Sequence, residues 1–461
     1  MIADLKPYSK YKKSELQWLG DVPAHWDLRP TFGAFAPNSE RNDGLKEKTV
    51  LSLSYGRIVI KPAEKLHGLV PESFETYQIV NPGDIVLRTT DLQNDHTSLR
   101  VGFVNNRGII TSAYLALRAI RGVDPKFGFQ FLNVWDTSKA IYGYGSGLRQ
   151  GLDFSHFKRM SVAIPPADEQ DAIVRFLDWA NGRLDRAIRA KRKVIALLNE
   201  QKQAIIHRAV TRGLDPSVPL KPSGIPWLGE VPNNWEVTVA KRVCSVFIPQ
   251  RDKPELNEVE GFPWVTLENI GKTFVKTSRF YVRDRDAQAV GIRTAPSDSV
   301  LASCVGRFGI ASITTEPVVI NQQIQAFIPR RGLSKFFLRY SVLVAKPYFE
   351  MHGNSTTLAY VDREGFETMP LLVPPLSEQE GIVQHLEKAT ANIDSAISRL
   401  EREVELLREY RARIVADVVT GKLDVREAAA KLPVEEQAIE PEEIVEDESE
   451  MIEVEITEPV G

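Results

Sequence analysis

The sequence contains few cysteines and no long apolar segment. Only Cys244 and Cys304 occur among 461 residues, which excludes both a disulfide framework and a zinc site built from cysteines. No apolar run is long enough to cross a bilayer, and the N-terminus lacks the basic, apolar and small-residue order of a signal peptide. The sequence therefore predicts a cytoplasmic protein without a membrane partner, and its length predicts more than one domain.

Motifs for catalysis and for cofactor binding are also missing. A methyltransferase that uses AdoMet to modify a base needs an Asn/Asp-Pro-Pro-aromatic segment, but alanine follows the proline pair at 165–166 and leucine follows the pair at 374–375. No Walker A sequence occurs, and the seven histidines do not stand at metal-ligand spacing. We therefore predict no catalytic residue, no metal ligand and no cofactor on this chain.

Basic residues are absent from the C-terminal segment 433–461, which contains twelve Asp and Glu and no aromatic residue. This composition predicts a disordered acidic tail, whose simplest role is solubility and whose alternative role is regulation. Without these twelve carboxylates, residues 1–432 have a net charge of +9. The charge of that body permits a nucleic-acid partner without requiring one.

Three motifs occur twice, and one constant offset in numbering separates the two copies of each. "WLGDVPAHW" (18–26) recurs as "WLGEVPNNW" (227–235), and "IPPADEQDAIVRFL" (164–177) recurs as "VPPLSEQEGIVQHL" (373–386). The pattern Thr-x-x-Leu-Asp at 211–215 returns at 420–424. This repeat offset, kept at three places, indicates a tandem duplication of a unit of about two hundred residues.

Each copy ends in a segment that predicts a long helix, at 165–212 and at 374–424. Proline pairs stop each helix from extending backwards, and no proline follows for about forty residues, or roughly 60–65 Å of helix. Apolar residues recur at heptad spacing, and a stripe this narrow and long needs a second long helix, most simply the other copy. The principal members of this predicted seam are Leu177, Leu184, Val194, Leu198 and Ile205 in the first helix, and Leu386, Ile393, Leu400, Leu407 and Ile414 in the second.

The remaining segments predict two α/β (α+β) globular domains in tandem, at 11–164 and 213–373, followed by the tail at 425–461. Short β-rich runs are separated by Gly, Pro, Asn and Asp, at 58–60, 85–87, 114–117, 310–313 and 325–328. The two copies align poorly in their interiors although their edges match. This pattern indicates one fold used twice to present two different surfaces.

Polar side chains in these divergent interiors are candidates for contact with DNA. Arg, Asn and Gln can form paired hydrogen bonds with guanine and adenine edges, and Arg can also bind phosphates. The alternative for every such residue is a solvated loop position. The candidates are Arg57, Arg88, Thr89, Asn94 and His96 in the first copy and Arg307, Gln322 and Gln323 in the second.

The duplicated set of motifs resembles the specificity subunit of Type I restriction–modification enzymes. The resemblance covers roughly residues 11–425. One departure from the family pattern is that the first helix ends in "VTRGLD" (210–215), where the second has the more typical "VTGKLD" (419–424). It implies that each variable region is a target-recognition domain that reads half of a bipartite sequence in double-stranded DNA. It also implies that the two helices pair as an antiparallel coiled coil, with pseudo-twofold symmetry, that spaces the domains.

The resemblance further implies partner proteins that carry the chemistry. Two modification subunits would dock on the helices, bind AdoMet and methylate adenine, and restriction subunits would use ATP and Mg²⁺ to cut DNA. The glycine-rich stretches "YGSGLRQG" (144–151) and "MHGNSTTLAY" (351–360) look like the family's loops near DNA. Arg149, Asn354 and Thr356 are therefore further contact candidates.

Two other functions remain open on the sequence alone. A self-contained DNA methyltransferase or endonuclease would act without partners, although its motifs are missing. A coiled-coil protein scaffold would show no sequence-dependent DNA binding even when methyltransferase partners are supplied.

Overall fold

The structure is a computed structural model that describes residues 5–62, 73–93, 95, 97–144, 151–250, 253–289, 291–353 and 359–433. The strands ahead of the first long helix are β1 (Tyr11–Lys13), β2 (Asp21–Pro23), β3 (Asp27–Pro30), β4 (Phe35–Pro37), β5 (Leu51–Ser54), β6 (Arg57–Ile60), β7 (Gln78–Val80), β8 (Ile85–Arg88), β9 (Val101–Phe103), β10 (Gly108–Ile110), β11 (Tyr114–Ala119) and β12 (Ser161–Ile164). The helices of this part are α1 (Thr31–Ala34), α2 (Pro125–Thr137) and α3 (Phe154–Phe157).

The first long helix, α4 (Ala167–Arg212), leads into a second set of similar elements. Its strands are β13 (Leu220–Pro222), β14 (Glu230–Pro232), β15 (Glu236–Val239), β16 (Cys244–Phe247), β17 (Phe262–Val265), β18 (Tyr281–Val282), β19 (Val300–Ser303), β20 (Ala311–Ile313), β21 (Val319–Ile320), β22 (Ile324–Pro329) and β23 (Pro370–Val373). The helices are α5 (Ala240–Val243), α6 (Asp284–Ala289), α7 (Lys335–Val344), α8 (Lys346–His352), α9 (Arg363–Thr368), the second long helix α10 (Leu376–Val419) and α11 (Arg426–Ala430).

The chain folds into two compact units whose boundaries lie inside the long helices. The first unit comprises Met1–Ile188 and Glu405–Gly461, and the second unit comprises Arg189–Val404. Each unit therefore contains the beginning of one long helix and the end of the other. The sequence analysis divides the chain into five segments and treats each long helix as one segment. The two compact units instead divide each long helix between them.

The first unit is built on an antiparallel sheet in the order β4-β11-β8-β9. Helix α2 begins after Asp124, whose carboxylate accepts a hydrogen bond from the Phe127 backbone N–H at 2.9 Å, with Pro125 at the first helical position. Phe127, Phe131 and Trp135 are fully buried at spacing i, i+4 and i+8. They join one core with the start of α4 and the end of α10.

The second unit repeats this sheet with β16-β22-β19-β20, each strand standing where its counterpart stands in the first. The strands that bracket each unit also correspond, because β3 pairs with β12 and β15 pairs with β23 in segments related by the repeat offset. What differs is the chain between the first and third of these strand positions. It forms the β5–β6 hairpin and β7 in the first unit, and β17 and β18 in the second, where β17 also pairs with the later strand β21.

These elements confirm the predicted fold class. Each unit has a mixed α/β domain, and each domain is followed by a long helix that packs with the other long helix. Each of the five β-rich runs predicted from sequence overlaps a strand of the structure, namely β6, β8, β11, β20 and β22.

The long helices run antiparallel where ion pairs link them. In the second unit, Lys191 binds Glu403 and Lys202 binds Asp394. The later residue of α4 thus pairs with the earlier residue of α10, which shows that the two helices run in opposite directions. In the first unit, Arg411 of α10 binds Asp185 of α4. These partly exposed pairs set the register of the helices more than their stability, since such pairs contribute only about 0–1 kcal/mol each.

Burial along both helices follows the predicted heptads. At alternating spacings of four and three, every position from Leu177 to Ala209 in α4 and from Leu386 to Val418 in α10 is buried or half-buried. The positions are Leu177, Asn181, Leu184, Ile188, Lys191, Ile195, Leu198, Lys202, Ile205 and Ala209 in α4, and Leu386, Thr390, Ile393, Ile397, Leu400, Val404, Leu407, Arg411, Ile414 and Val418 in α10. This repeat of 3.5 residues per turn keeps one face of each helix towards its partner, as in a coiled coil.

The predicted seam residues are buried to different degrees. Leu177, Leu184, Leu386, Ile393 and Ile414 are buried, and Leu198, Ile205, Leu400 and Leu407 are half-buried. Val194 is 45% exposed, and the adjacent Ile195 lies on the inward face and is half-buried instead. The seam is therefore buried near the globular domains and more exposed to solvent at the middle of the helices.

The glutamine of each Pro-Pro-x-x-Glu-Gln motif ties a long helix to its globular domain. The Gln170 side chain donates to the carbonyl oxygens of Gly122 (3.1 Å) and Pro165 (2.9 Å) and accepts from the Asp124 backbone N–H (2.7 Å). Gln379 makes the same three bonds, with Gly332, Pro374 and Ser334. Because both amides are buried, each motif fixes the loop before α2 or α7 onto the start of a long helix.

The glutamate of the first motif holds the N-terminal arm of the chain. Buried Glu169 accepts hydrogen bonds from Trp26 Nε1 (2.8 Å), from the Tyr8 hydroxyl and from the His25 ring (2.8 Å). Burial, followed by the bond to this carboxylate, raises the pKa of Tyr8. The first helical turn of α4 is thereby connected to the arm and to the tryptophan turn at once.

Each tryptophan turn packs beneath the end of a long helix. Trp235 lies against Gly213, which follows α4, and Trp26 lies against Gly421, which follows α10. Both glycines have positive φ, of +71° and +75°, and a Cβ at Gly421 would come within 2.3 Å of the Pro23 ring. Both tryptophans are at most 1% exposed, as expected for residues that serve the fold.

We expect Gln379→Ala to lower the free energy of unfolding by about 3 kcal/mol, because it removes three hydrogen bonds at a buried position and leaves their partners unsatisfied. Chemical denaturation followed by circular dichroism measures the effect. Gln384→Ala, at an exposed position of the same helix, is the control and should change stability by less than about 0.5 kcal/mol. Equal effects of the two variants would contradict the role assigned to the Gln379 amide.

Both cysteines should resist alkylation while the second unit is folded. Burial raises the pKa of the Cys244 and Cys304 thiols to about 12, so almost no thiolate exists at pH 8. We expect mass spectrometry to find neither thiol modified by iodoacetamide within minutes, and both modified after denaturation. Rapid labelling of native protein would show that the second unit opens readily.

Candidate nucleic-acid interface

The predicted contact residues of the second unit meet at one end of its sheet. The backbone N–H of Cys304 donates to Gln323 O (2.9 Å), and the Val361 N–H donates to Cys304 O (2.9 Å). The end of β19, the turn before β22 and the segment before α9 are therefore adjacent. We call residues 303–307, 321–323 and 359–361 the polar edge of the second unit.

The first unit has the same arrangement at the equivalent strands. The Leu152 N–H donates to Thr89 O (2.8 Å), and the Thr89 hydroxyl donates to Ala113 O (3.2 Å). Leu152 and Val361 are related by the repeat offset, so the two edges are built from corresponding segments. Residues 88–91, 111–114 and 151–152 form the polar edge of the first unit.

The candidates of the second unit are exposed at this edge. Arg307 lies in the loop after β19, and Gln322 and Gln323 lie in the turn before β22. The Gln323 side-chain oxygen accepts a hydrogen bond from the Asn321 amide at 3.0 Å, which orients both side chains. Two amides and one guanidinium thus share a small surface, a combination suited to base edges and phosphates.

The candidates of the first unit have different environments. Arg88 ends β8 with its guanidinium partly exposed, 3.5 Å from the Asp95 carboxylate. Thr89 is buried and its hydroxyl donates to Ala113 O, so the structure places this candidate inside the protein. Asn94, His96, Arg149, Asn354 and Thr356 lie outside the described residues.

A buried arginine that the sequence did not distinguish organises the loop after β8. Arg100 is fully buried, and its guanidinium donates to the carbonyl oxygens of Thr90 (2.8 Å), Asp91 (3.1 Å) and Asp95 (2.6 Å). The Tyr142 hydroxyl also donates to Asp95 O, at 3.1 Å. An arginine fork is suited to gathering several carbonyls, and it holds this polar loop in one conformation.

Two carboxylates complete the surroundings of Arg100. The Arg100 backbone N–H donates to Asp136 at 2.6 Å, and burial raises the pKa of that carboxyl group. Burial opposes ionisation of Asp95 too, but hydrogen bonds from Ser98 and the charge of Arg100 hold its pKa below the usual value. The ionised Asp95 therefore faces the buried guanidinium, which reduces the cost of burying a positive charge.

Arg57 stands on a hairpin beside this loop. Tyr55 and Gly56 form the turn between β5 and β6 with φ of +46° and +75°, the backbone of a tight two-residue hairpin. Gly56 lies close to Leu99, so the tip of the hairpin packs on the loop that Arg100 holds. Arg57 is exposed, and Val59 and Ile60 are 41% and 52% exposed, so the ribbon presents a basic and apolar surface.

The described residues offer neither a metal site nor a membrane span. No group of three His, Cys, Asp or Glu side chains in the described ranges could hold a metal ion. No helix in those ranges combines the length and apolar composition that a membrane crossing requires.

Comparisons with known proteins agree on one family. The model of the Type I restriction modification DNA specificity domain matches residues 232–406. The MjaVIII specificity subunit of Methanocaldococcus jannaschii is 26% identical over 363 residues, which are 76% of this chain and 81% of the relative. The putative MjaX specificity subunit of the same organism is 21% identical over 444 residues, or 90% of this chain and 97% of the relative.

A solved structure shares the fold. It comes from work on complex assembly and conformational transition of the type I R-M system, with a TM-score of 0.58 and 16% identity over 87% of this chain and 99% of that one. The duplicated motifs, the repeated α/β unit with its long helix and the matching domain model all point the same way. The chain contains a Type I restriction modification DNA specificity domain at residues 232–406, and over most of its length it is similar to the specificity subunits of Type I restriction enzymes.

Proposed function

We propose that this specificity subunit is a non-catalytic reader of double-stranded DNA, in which each unit recognises one half of a bipartite target. The observation that carries the proposal is the polar edge, which is built twice from corresponding segments but with different side chains. A duplicated fold with identical edges would read one sequence twice. Two different edges suit a target with two unlike halves.

The chemistry of each edge supports direct reading of bases. Gln322, Gln323 and Arg307 in the second unit offer amide and guanidinium groups on exposed backbone turns. In the first unit, Arg57 and the loop held by Arg100 form a basic ribbon and an ordered polar surface. Two-stranded β-ribbons and ordered loops can enter a DNA groove without paying much ordering entropy on binding.

The helix pair offers surfaces for the partners that carry out the reaction. Leu197 in α4 and Leu406 in α10 are each 54% exposed, and the repeat offset makes them equivalent positions. We propose that these equivalent leucines mark docking surfaces for two modification subunits, which bind AdoMet and methylate adenine. Restriction subunits, with ATP and Mg²⁺, would join that complex in the cytoplasm, and the paired helices would set the spacing of the two half-sites.

Removing one candidate arginine from either unit should weaken recognition of one half-site only. We expect Arg307→Ala, in a complex with modification subunits, to weaken DNA binding about tenfold and to reduce the slope of log K against log salt by about 1, because one phosphate contact is lost. Fluorescence anisotropy at several salt concentrations measures both quantities. Arg57→Ala should act in the same way on the other half-site.

Arg279→Ala is the matched control, because Arg279 is 77% exposed, pairs with Glu258 and lies outside the polar edge. It should leave affinity and salt slope unchanged. If Arg57→Ala and Arg307→Ala behaved like this control, the assignment of DNA binding to the β5–β6 hairpin of the first unit and to the polar edge of the second unit would be wrong. Methyl transfer by the purified chain without partners would instead favour a self-contained methyltransferase.

Arg100→Lys should disorder the loop after β8 and impair reading by the first unit. Lysine cannot replace the planar fork that binds several carbonyls, so several buried acceptors lose their donors. We expect faster amide hydrogen exchange over residues 88–99 and at least tenfold weaker binding of cognate DNA. Unchanged exchange in this loop would contradict its dependence on Arg100, and unreactive Cys244 and Cys304 would show that the second unit stays folded.

A further inference from the structure

The two units differ at the groove between the start of one long helix and the end of the other. In the first unit this groove lies between the start of α4 and the end of α10, and α11 covers it. Val425, Ala428, Ala429 and Leu432 are buried there in the core that contains Phe176 and Val418. The Arg175 guanidinium donates to Ala429 O at 3.4 Å, which fixes the segment on the groove.

These four buried residues have the spacing of a helix that docks in a groove. Positions 425, 428, 429 and 432 correspond to i, i+3, i+4 and i+7, the face by which an amphipathic helix binds an apolar cleft. The first unit therefore shows, in the chain itself, what kind of segment this groove accepts.

In the second unit the equivalent groove is open. A cavity of about 500 Å³ lies between the end of α4 and the start of α10, lined by Ile205, Ala209, Leu214, Val218 and Leu220, with Arg208, Arg212 and His385 also in its wall. Ile205, Ala209 and His385 occupy the positions that Ile414, Val418 and Phe176 occupy in the first unit. Leu214 and Leu220 remain 44% and 39% exposed at its margin.

The chain cannot cover this groove as it does in the first unit. The segment equivalent to 425–432 is 216–223, which contains prolines at 216, 219 and 222. Proline removes backbone donors and clashes with the preceding helical turn, so no helix forms there, and the segment continues into β13. The apolar wall is left without the helix that the fold provides elsewhere.

The wall of the open groove also carries basic side chains at positions where the first unit has none. Arg208 replaces Asp417, Arg212 replaces Gly421 and His385 replaces Phe176 at equivalent positions. Within the described part of the chain, no carboxylate forms an ion pair with Arg208 or Arg212. The Asp215 carboxylate, which also lines the cavity, accepts hydrogen bonds from the Ser217 backbone and hydroxyl.

We propose that this groove of the second unit, which we call the basic groove, docks an acidic amphipathic helix supplied by a partner protein. The helix would present small and branched aliphatic residues at i, i+3, i+4 and i+7 to the apolar wall. Its flanking carboxylates would pair with Arg208, Arg212 and His385. Docking at the basic groove does not require DNA binding. Only the second unit would accept a partner helix in this way, because α11 already covers the groove of the first unit.

Two labelled peptides test the basic groove. One has the sequence of residues 422–433, the segment that covers the groove of the first unit, and the other is the same peptide with Arg426→Glu and Lys431→Glu. We expect fluorescence anisotropy with the full chain to show at least tenfold tighter binding of the acidic peptide. Failure of the acidic peptide to bind would overturn the proposal.

Variants of the chain locate the binding. Arg208→Glu with Arg212→Glu should weaken binding of the acidic peptide at least tenfold, and Leu214→Glu should weaken it by removing apolar surface. Arg192→Glu with Lys193→Glu makes the same charge change on exposed residues of α4 that do not line the groove, and it should have no effect. Circular dichroism melting confirms that each variant is folded, and equal effects of the two charge reversals would overturn the proposal.

Other occupants give different results. If the acidic peptide bound only to a chain truncated after Pro433, the acidic tail of this chain would occupy the groove and the partner helix would be excluded. If Arg208→Glu with Arg212→Glu abolished a dimer seen by light scattering, a second copy would be the occupant and the proposal would again fail. Neither result would affect the DNA-binding measurements, which test the proposed function separately.

Discussion

The packing of a tryptophan turn beneath the end of a long helix is the contact on which the rest of the structure depends. In the second unit the turn and the helix end are close in sequence, since Trp235 follows soon after Gly213. In the first unit, Trp26 packs on Gly421, at the far end of the chain. The first core is therefore complete only when α10 has returned to it. This requirement brings the segments around Trp26 and Gly421 into one unit, and each long helix contributes to two cores.

The same requirement explains why the interiors of the units could diverge. The outer strands, the glutamine that ties each domain to a helix and the tryptophan turn form a repeated frame around the four-stranded sheet. Loops at one end of that sheet do not take part in these frame contacts. The first unit uses a buried arginine to order its loop, whereas the second uses short turns held by backbone hydrogen bonds. Different local solutions on one frame are what reading two unlike half-sites requires.

Much of this could be predicted from sequence, because a constant offset and long proline-free segments are strong signals. The duplication, both helices and the β-rich runs needed no structure. The heptad spacing of both helices could also be predicted, because apolar residues mark most of its positions. The burial of Thr89 could not be predicted, because composition does not show which way a loop residue points. The role of Arg100 could not be predicted, because only the folded loop brings its carbonyl partners together. That each unit contains the start of one long helix and the end of the other could not be predicted either, because it depends on which helix ends meet in three dimensions.

The central claim, that two unlike reading surfaces in one chain define one bipartite target, can be tested in cells. Single-molecule sequencing of methylated bases would compare a host that carries the gene with one that lacks it, with the modification subunits expressed in both. The account predicts the loss of one split methylated-adenine motif, with both halves disappearing together. A methylome that keeps every motif without the gene would contradict it.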